Sequence, residues 1–241
     1  MNVKLYLTPA PFPEAGLGNR TAVVIDVLRC TTSVCAALKA GARGVIPVLG
    51  PGEAVEMWNK VGQDMAVLAG ERAGVRIENF ELGNSPFEFT EKSVGDRLVI
   101  MTTTNGTAAF LEARKAALIL SCALVNVSIV AERVASESRD TAIVCAGREG
   151  GFSIEDTLCG GMLIDLLKTR HGLNVELNDA GSLALLLYRS SKTSIKQSIA
   201  QGEHGRFLAK IGFADDVAAA ADVDSIPVLP ALRDGRLTLD E

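Results

Sequence analysis

The stretch from Arg97 to Ala117, RLVIMTTTNGTAAFLEARKAA, carries the clearest fold signal in the chain. Residues 97–102 form an apolar, β-branched run typical of a buried strand, and residues 106–116 have the composition of a helix. Thr, Asn and Gly between them favour turns and helix N-termini. A strand that passes directly into a helix leaves free backbone N–H groups at the positive end of that helix. The stretch therefore predicts a β–α unit whose turn can hold an anion.

The same alternation of strand and helix recurs along the chain. Apolar runs occur at residues 3–8, 21–28, 44–49, 65–70, 97–102, 117–122, 141–147 and 225–230. These runs are continuous and do not alternate with polar residues, which indicates strands that are covered on both faces. Helical patterns follow four of them, at residues 32–41, 51–61, 106–116 and 126–138.

The last third of the chain changes character, because helical patterns fill most of Ser153 to Asp224 before the run at 225–230 returns as a final strand. We therefore predict an α/β fold: a layered α/β/α arrangement with a mixed, largely parallel sheet and a helix-rich C-terminal third. Residues 1–241 form one α/β unit in this interpretation. Two lobes, 1–150 and 151–241, with the site in the cleft between them, are the alternative division.

Composition limits the classes of ligand. Of the 241 residues, 48% are hydrophobic and 22% charged, as in an ordinary globular protein with its own core. A net charge of -5 and an aromatic content of 5% argue against nucleic acid as a ligand. The sequence has neither a signal-peptide pattern nor an apolar run of about 20 residues, so we expect a cytoplasmic protein without a membrane partner. The five cysteines lack CxxC spacing, and we expect reduced, buried thiols.

Polar side chains follow four of the predicted strands. In an open α/β sheet, ligands bind beyond the carboxyl ends of the strands, so these side chains are the candidates for a site. They are Asp26, Arg29, Thr31 and Thr32 after the second run, Glu71, Arg72, Asn84 and Ser85 after the fourth, Thr103, Thr104, Asn105, Gly106 and Thr107 after the fifth, and Arg148 and Asp156 after the seventh.

Each candidate also has a purely structural interpretation. The loop at 103–107 is equally well explained as a strand-to-helix turn. An ionised Asp26 within an apolar strand needs a cation or several hydrogen-bond donors, and a buried pair with Arg29 would also satisfy it. Asp156 suits the start of a helix. His204 is the better site candidate of the two histidines, since Gly205 and Arg206 follow it.

The absence of known motifs excludes some classes of phosphotransfer enzyme. The sequence has no GxxxxGK motif, so a P-loop kinase is excluded, and no cysteine has the spacing to an arginine that a cysteine phosphatase needs. Surface charge is the alternative explanation for Arg72 and Arg148. A carboxylate-bound Mg²⁺ remains open, because hard cations prefer oxygen ligands and often bridge a phosphate.

Five motifs, in order and covering nearly the whole chain, resemble the 2-phosphosulfolactate phosphatases. They are IDVLRCTTS (25–33), GERAGVRIENFELGNSP (70–86), TTTNGT (102–107), CAGREGGFSIEDTLCGG (145–161) and GEHGRFLAKIGFADDVAAAADVDSIPVLP (202–230). Cys30, Ala73 and Glu81 depart from the residues usual at their positions. The resemblance implies a Mg²⁺-dependent phosphatase that releases phosphate from 2-phospho-3-sulfolactate, a step that leads to coenzyme M in some organisms. It also implies an α/β fold unlike other phosphatases, with the site in a cleft.

On this resemblance we assign roles to the candidates. Asp26, Glu71 and Asp156 are expected to hold Mg²⁺, with Asp26, Arg29 and Asp156 taking part in catalysis. Residues 103–107 and Arg29 are expected to hold the phosphate. The sulfonate end, the carboxylate end or the leaving oxygen is expected to meet Arg72, Arg148 and His204. Thr31, Thr32, Asn84 and Ser85 complete the expected substrate contacts.

Three points stay open at this stage. A metal-bound water is the preferred nucleophile, and attack by Asp26 is the alternative. The partner is expected to be a small anionic phosphorylated substrate, and a homodimer is compatible with the sequence. A phosphatase or phosphotransfer enzyme for another small phosphorylated acid, and a non-catalytic phosphometabolite-binding protein, are the alternative functions.

Overall fold

A computed structural model describes residues 1–9 and 17–240. The strands are β1 Asn2–Tyr6, β2 Thr21–Ile25, β3 Gly44–Pro47, β4 Ala66–Arg72, β5 Val75–Arg76, β6 Leu98–Thr102, β7 Leu118–Cys122, β8 Thr141–Cys145, β9 Glu176–Leu177, β10 Pro230–Arg233 and β11 Arg236–Leu239. The helices are α1 Cys30–Lys39, α2 Pro51–Val61, α3 Glu91–Val94, α4 Gly106–Glu112, α5 Val127–Glu137, α6 Ile154–Thr169, α7 Asp179–Ser191, α8 Ile195–Gln201, α9 Glu203–Lys210 and α10 Ala214–Ala220. The α/β class and the helix-rich C-terminal third are confirmed.

The final strand predicted at 225–230 is wrong. Pro227 has no N–H to donate to a ladder, and strand pairing begins only at Pro230, where β10 pairs with β11. The turn of this hairpin is Asp234-Gly235, with φ of 50° and 78°. An Asp-Gly pair between two apolar runs is a strong hairpin signal, because both turn residues must take positive φ. That signal was present in the sequence.

The eleven strands of the described residues belong to one sheet, in the order β5-β4-β6-β3-β11-β10-β7-β2-β8-β1-β9. The pairings within β4-β6-β3 and within β7-β2-β8-β1-β9 are parallel. The β10–β11 hairpin joins these two half-sheets, and each of its outer contacts is antiparallel. The two parallel half-sheets therefore run in opposite directions along the hydrogen-bonded ladder, and the mixed, mostly parallel sheet is confirmed.

The loops at the carboxyl ends of the two half-sheets come together, and the ordinary twist of a sheet favours this. Five strand pairings separate β6 from β2. At about 20–25° for each pairing, they accumulate about 100–125° of rotation. Helices α1 and α4 pack on the inner face of this curved sheet, through Val34 and Ala109 among others. As a result, the loops that follow β2 and β4 meet, and Arg29 donates to the carbonyl oxygen of Gly74 at 2.7 Å.

The central strands β2, β7 and β8 are buried along their whole length because both of their faces are covered. In β2, Ala22 and Val24 belong to the inner core with α1 and α4, while Val23 and Ile25 belong to the outer core with α5, α6 and α7. A smaller core lies between α2 and the outer face of the first half-sheet. In the part of the chain that the structure describes, none of the helices is long and apolar enough to cross a bilayer.

Candidate active site

A cavity of about 160 Å³ opens where the loops after β2, β4, β6 and β8 converge. Nine of the residues predicted from the sequence line it: Asp26, Arg29, Glu71, Asn84, Thr103, Thr104, Asn105, Arg148 and His204. Six further residues line it that were not among the predicted site residues: Leu28, Ala73, Gly74, Glu149, Phe207 and Leu208. Residues that follow different strands, and that are far apart in the sequence, thus share one cavity wall.

Asp26 follows β2 and is buried at the wall of the cavity. Its Oδ1 accepts the Cys30 backbone N–H at 3.2 Å, and among the described residues its Oδ2 has no hydrogen-bond donor. Burial raises the pKa of the Asp26 carboxyl to about 6; His204 and the Cys30 N–H oppose this rise, whereas Glu71 adds to it. Asp26 therefore lies at the cavity wall with one carboxylate oxygen, Oδ2, that has no donor among the described residues.

The hydroxyls of Thr31 and Thr32 do not reach the cavity wall. Thr31 Oγ1 donates to the Asp26 carbonyl oxygen at 2.8 Å and accepts the Asp26 N–H at 3.0 Å. Thr32 Oγ1 donates to the Val27 carbonyl oxygen at 2.8 Å. Both side chains brace the turn between β2 and α1, so they shape the site without the substrate contact expected of them.

Arg29 is held on several sides. Its Nη1 donates to Asp216 Oδ2 at 2.7 Å, and its guanidinium lies 4.2 Å from the centroid of the Phe213 ring. Ser85 Oγ donates to the other oxygen of Asp216 at 2.7 Å. The alternative in which Arg29 pairs with Asp26 is thus not what the structure shows. Ser85 acts on this network and does not line the cavity.

The loop after β6 is tied to the loop after β4. Both the backbone N–H and the hydroxyl of Thr104 donate to Glu71 Oε1, at 2.8 and 2.9 Å. Glu71 Oε2 accepts the Gly74 N–H at 2.8 Å. Thr103 and Thr107 exchange hydrogen bonds between backbone N–H groups and hydroxyls at 3.2–3.3 Å. Several donors that the sequence offered to an anion are therefore used inside the protein.

Gly106 has a different role from the one predicted. It does not line the cavity, and a Cβ at this position would lie 2.5 Å from both Asp26 Oδ2 and Cys30 Cβ. The missing side chain lets the first turn of α4 approach the first turn of α1. Gly106 therefore allows the close packing beside Asp26, and Thr107 likewise lies behind the wall.

Asp156 crosslinks two loops. Its Oδ1 accepts the Val27 N–H at 2.8 Å, and its Oδ2 accepts the Gly147 N–H at 3.1 Å. Burial, followed by the nearby charges of Asp26 and Glu155, raises the pKa of Asp156 well above its ordinary value, while the Val27 N–H favours the charged form. The side chain does not line the cavity.

The three predicted metal ligands do not form a closed cage. Within residues 1–9 and 17–240, no three His, Cys, Asp or Glu side chains converge closely enough to hold a metal. Both oxygens of Glu71 and of Asp156 accept hydrogen bonds that fix loops, which leaves Asp26 with the free oxygen. Mg²⁺ usually keeps several waters and binds through one or two carboxylates plus a substrate phosphate. Asp26 fits a site of that open kind.

Arg72 and Asn84 differ in what they offer a ligand. Arg72 is engaged by the Glu71 carbonyl oxygen at 2.7 Å and by Thr102 Oγ1 at 3.0 Å, and it does not line the cavity. Asn84 does line the cavity, and among the described residues its buried Oδ1 has no hydrogen-bond partner. Since buried polar atoms are normally paired, this amide oxygen, an acceptor, suits a hydrogen-bond donor or a cation in the cavity.

Arg148 and His204 form another part of the wall. The Arg148 guanidinium lies 4.7 Å from the centroid of the Phe207 ring and has Glu203 and Glu149 at 3.4 and 3.5 Å, both with exposed side chains. His204 Nδ1 lies 3.0 Å from Oε1 of the buried Glu155. Arg148 is therefore loosely paired and open to exchange with a ligand anion.

Together these features define the class: an α/β protein in which guanidinium groups, a buried carboxylate and polar side chains face one small cavity suited to an anionic ligand. The family model described as 2-phosphosulpholactate phosphatase matches residues 6–235. The chain belongs to this phosphatase family.

Curated relatives match over nearly their whole length. A protein of Symbiobacterium thermophilum named "Probable 2-phosphosulfolactate phosphatase" is 37% identical over 229 residues, which is 95% of this chain and 98% of the relative. Proteins of the same name are 35% identical in Caldanaerobacter subterraneus subsp. tengcongensis, covering 98% of this chain and 97% of the relative, and 32% identical in Clostridium beijerinckii, covering both chains fully. The resemblance found in the five motifs is confirmed.

Proposed function

We propose that this protein is a Mg²⁺-dependent phosphatase that hydrolyses 2-phospho-3-sulfolactate to 3-sulfolactate and phosphate. The observation that carries the proposal is the convergence of Asp26, Arg29 and Asn84 on one cavity in a member of this family. Arg29 supplies positive charge and hydrogen-bond donors, Asn84 supplies an unpaired polar atom, and Asp26 supplies a free carboxylate oxygen. The coenzyme M pathway, a cytoplasmic location and a homodimer stay predictions.

The charges of the cavity support a metal. Arg29 and Arg148 face an anionic substrate, but Asp26, Glu71 and Glu149 line the same space. Carboxylates beside a phosphate are unfavourable unless a cation lies between them. Asp26 would hold Mg²⁺, together with waters and the substrate phosphate, and the ion would neutralise charge on the phosphoryl oxygens. A pure anion binder would gain nothing from these acids.

The chain's own residues position the substrate. Thr103, Thr104 and Asn105 line the cavity beside Glu71, and Arg29, which lines it too, would donate to the phosphate with the N–H groups that Asp216 and Gly74 leave free. Arg148 can release its exposed glutamates to hold the sulfonate or carboxylate. A water molecule attacks phosphorus in line with the bond to the leaving oxygen. Attack by Asp26 itself is the competing pathway.

Phosphate release from a panel of small phosphorylated acids tests the proposal. We expect the highest kcat/KM with 2-phospho-3-sulfolactate in the presence of Mg²⁺, loss of turnover with EDTA, and recovery when Mg²⁺ is added back. Binding of these acids without phosphate release would instead support the binding-protein alternative. Release unaffected by EDTA would contradict the metal.

The nucleophile is tested separately. Acid quenching during turnover, followed by mass spectrometry of the protein, should show only unmodified chain if water attacks directly. A phosphoryl adduct on the peptide that contains Asp26 would establish a covalent intermediate in its place.

A further inference from the structure

Glu155 has no role in the assignments above, although it is paired with His204, which is a predicted site residue. Glu155 lies in the first turn of α6, and its side chain is 2% exposed. Its Oε1 lies 3.0 Å from His204 Nδ1, and no other hydrogen bond to Glu155 occurs among the described residues. His204 lines the cavity, and its other ring nitrogen, Nε2, has no hydrogen-bond partner in the same part of the chain.

Stability alone does not account for this arrangement. An acidic residue in the first turn of a helix favours the helix dipole while remaining exposed, so burial is not needed for that effect. A carboxylate removed from water needs good hydrogen bonds, and one imidazole is little compensation. A carboxylate bonded to one nitrogen of a histidine, however, fixes the orientation of the ring and directs the other nitrogen toward a reacting group.

Neighbouring contacts indicate which end of the substrate meets His204. The His204 and Phe207 rings have centroids 6.4 Å apart, and Arg148 lies against the same Phe207 ring. If Arg148 holds the sulfonate or carboxylate, the oxygen that joins this part of the substrate to phosphorus lies beside His204. The nearest ring atom free to act on that oxygen is Nε2.

We propose that Glu155 is a positioning residue that holds His204 so that Nε2 donates a proton to the leaving oxygen. The inference rests on the proposed phosphatase function. The bond between phosphorus and the leaving oxygen breaks as the bond to the water oxygen forms. In protonated His204 both ring nitrogens donate, Nδ1 to Glu155 and Nε2 to the leaving oxygen. A proton of the attacking water replaces the one that His204 gives up, so the products are the alcohol and phosphate.

The dependence on the leaving group tests this role. An alkoxide leaving group needs a proton, whereas 4-nitrophenolate leaves without one. Glu155→Gln should lower kcat on 2-phospho-3-sulfolactate by about 10–100-fold, and kcat on 4-nitrophenyl phosphate by less than about threefold. The matched control is Asp165→Asn, which changes another buried carboxylate of α6, one that pairs with Arg189 away from the cavity. It should leave both rates near wild type.

A double variant separates positioning from an independent effect. If Glu155 acts only through His204, Glu155→Gln combined with His204→Gln should be no slower than His204→Gln alone. The inference would be overturned if the losses of kcat in the two single variants multiply in the double variant, or if Glu155→Gln lowers kcat equally on both substrates. The phosphatase function would stand in either case. If Glu155→Gln does not fold, His204→Gln gives the same leaving-group comparison.

A readout without turnover distinguishes the two proposals. In ¹H–¹⁵N NMR spectra, the signal of the hydrogen-bonded His204 Nδ1–H should be present in the wild type and lost in Glu155→Leu, whose side chain has no acceptor; persistence of the signal in that variant would overturn the positioning role. A wild-type protein that shows this signal but releases no phosphate from any substrate would overturn the proposed function itself.

Discussion

The guanidinium of Arg29 donates to the carboxylate of Asp216 over 2.7 Å, although 187 positions separate the two residues in the sequence. Both side chains are buried, so neither charge has water to stabilise it. The pair attaches helix α10 to the turn between β2 and α1. Asp216 therefore fixes the position of the Arg29 guanidinium at the cavity.

Removal of Asp216 should therefore weaken both the fold and phosphate binding. Asp216→Ala leaves Arg29 buried without its counter-charge, and breaking such a pair costs about 3–5 kcal/mol of unfolding free energy. Urea unfolding measures this loss, and inhibition by inorganic phosphate should weaken in parallel. The control is Asp215→Ala, since Asp215 is the exposed neighbour on the same helix. Equal inhibition constants in the two variants would show that phosphate binding by Arg29 does not depend on its pairing with Asp216.

Asp26→Asn should stabilise the metal-free protein at neutral pH while it removes activity. The folded pKa of Asp26 is about 6 and its ordinary value is 3.8, so the folded state binds the proton more tightly. The corresponding stability is present below the ordinary pKa and is lost as pH rises through about 6, which amounts to about 3 kcal/mol.

The measurement is unfolding free energy against pH in EDTA for wild type and Asp26→Asn. The two curves should diverge as pH rises from about 4 to 7, with the variant the more stable. Asp64→Asn, which removes the same charge at an exposed position, should follow the wild-type curve. Parallel curves for all three proteins would contradict the raised pKa of Asp26.

Asp26 and Asp156 should respond differently to metal. If Asp26 holds Mg²⁺, Asp26→Asn lowers turnover most at limiting Mg²⁺. Asp156→Asn replaces an acceptor of two backbone N–H groups by an amide that can accept only one. We expect a loss of about 1–3 kcal/mol in unfolding free energy, with little change in the Mg²⁺ concentration required. The same Mg²⁺ dependence in both variants would assign Asp156 to the metal as well.

Gly106→Ala should reduce both stability and turnover, because the added Cβ would lie 2.5 Å from Asp26 Oδ2 and from Cys30 Cβ. Overpacking of this kind costs about 1–3 kcal/mol. The matched control is Gly52→Ala in α2, where a Cβ meets nothing within 4 Å and helix propensity favours alanine. Thermal unfolding should move down for the first variant and up for the second.

Alkylating agents should leave activity intact. All five cysteines are buried, and burial together with the charge of Asp26 raises the pKa of the Cys30 thiol well above its ordinary value. A thiol without thiolate character and without access reacts slowly. Iodoacetamide should label the native protein slowly and the denatured protein fully. Rapid inactivation that substrate prevents would show instead that Cys30 is reactive.

Local sequence was sufficient for most elements. The run at 97–102 and the helix after it are β6 and α4, and the other continuous apolar runs, apart from the one at 225–230, also contain strands, since such patterns depend on near neighbours. The hairpin β10–β11 was not predicted, although its Asp-Gly turn and the apolar residues on either side are a local signal for it. For the site, side chains directly after strands were found, among them Asp26, Arg29 and Asn84.

Partners that come from distant helices were not predictable. Asp216 and Phe207 lie within helices α10 and α9, where a single acid or aromatic residue resembles many others. Which side chain contacts the cavity depends on how α9 and α10 pack, and that packing has no short-range signature. For the same reason, the sequence did not distinguish Arg29, which lines the cavity, from Arg72, which donates to Thr102 and does not line it.

The sequence by itself determined the α/β class, the family and the strand ends that carry polar residues, because these follow from periodicity and from motifs within short stretches. Only the tertiary structure decided that these ends meet. Along the ladder, the two parallel half-sheets run in opposite directions on either side of β10 and β11. Their carboxyl ends share one cavity through the close approach of the first turns of α1 and α4 and through the hydrogen bonds between the loops after β2, β4 and β6, and these contacts join residues that are far apart in the sequence.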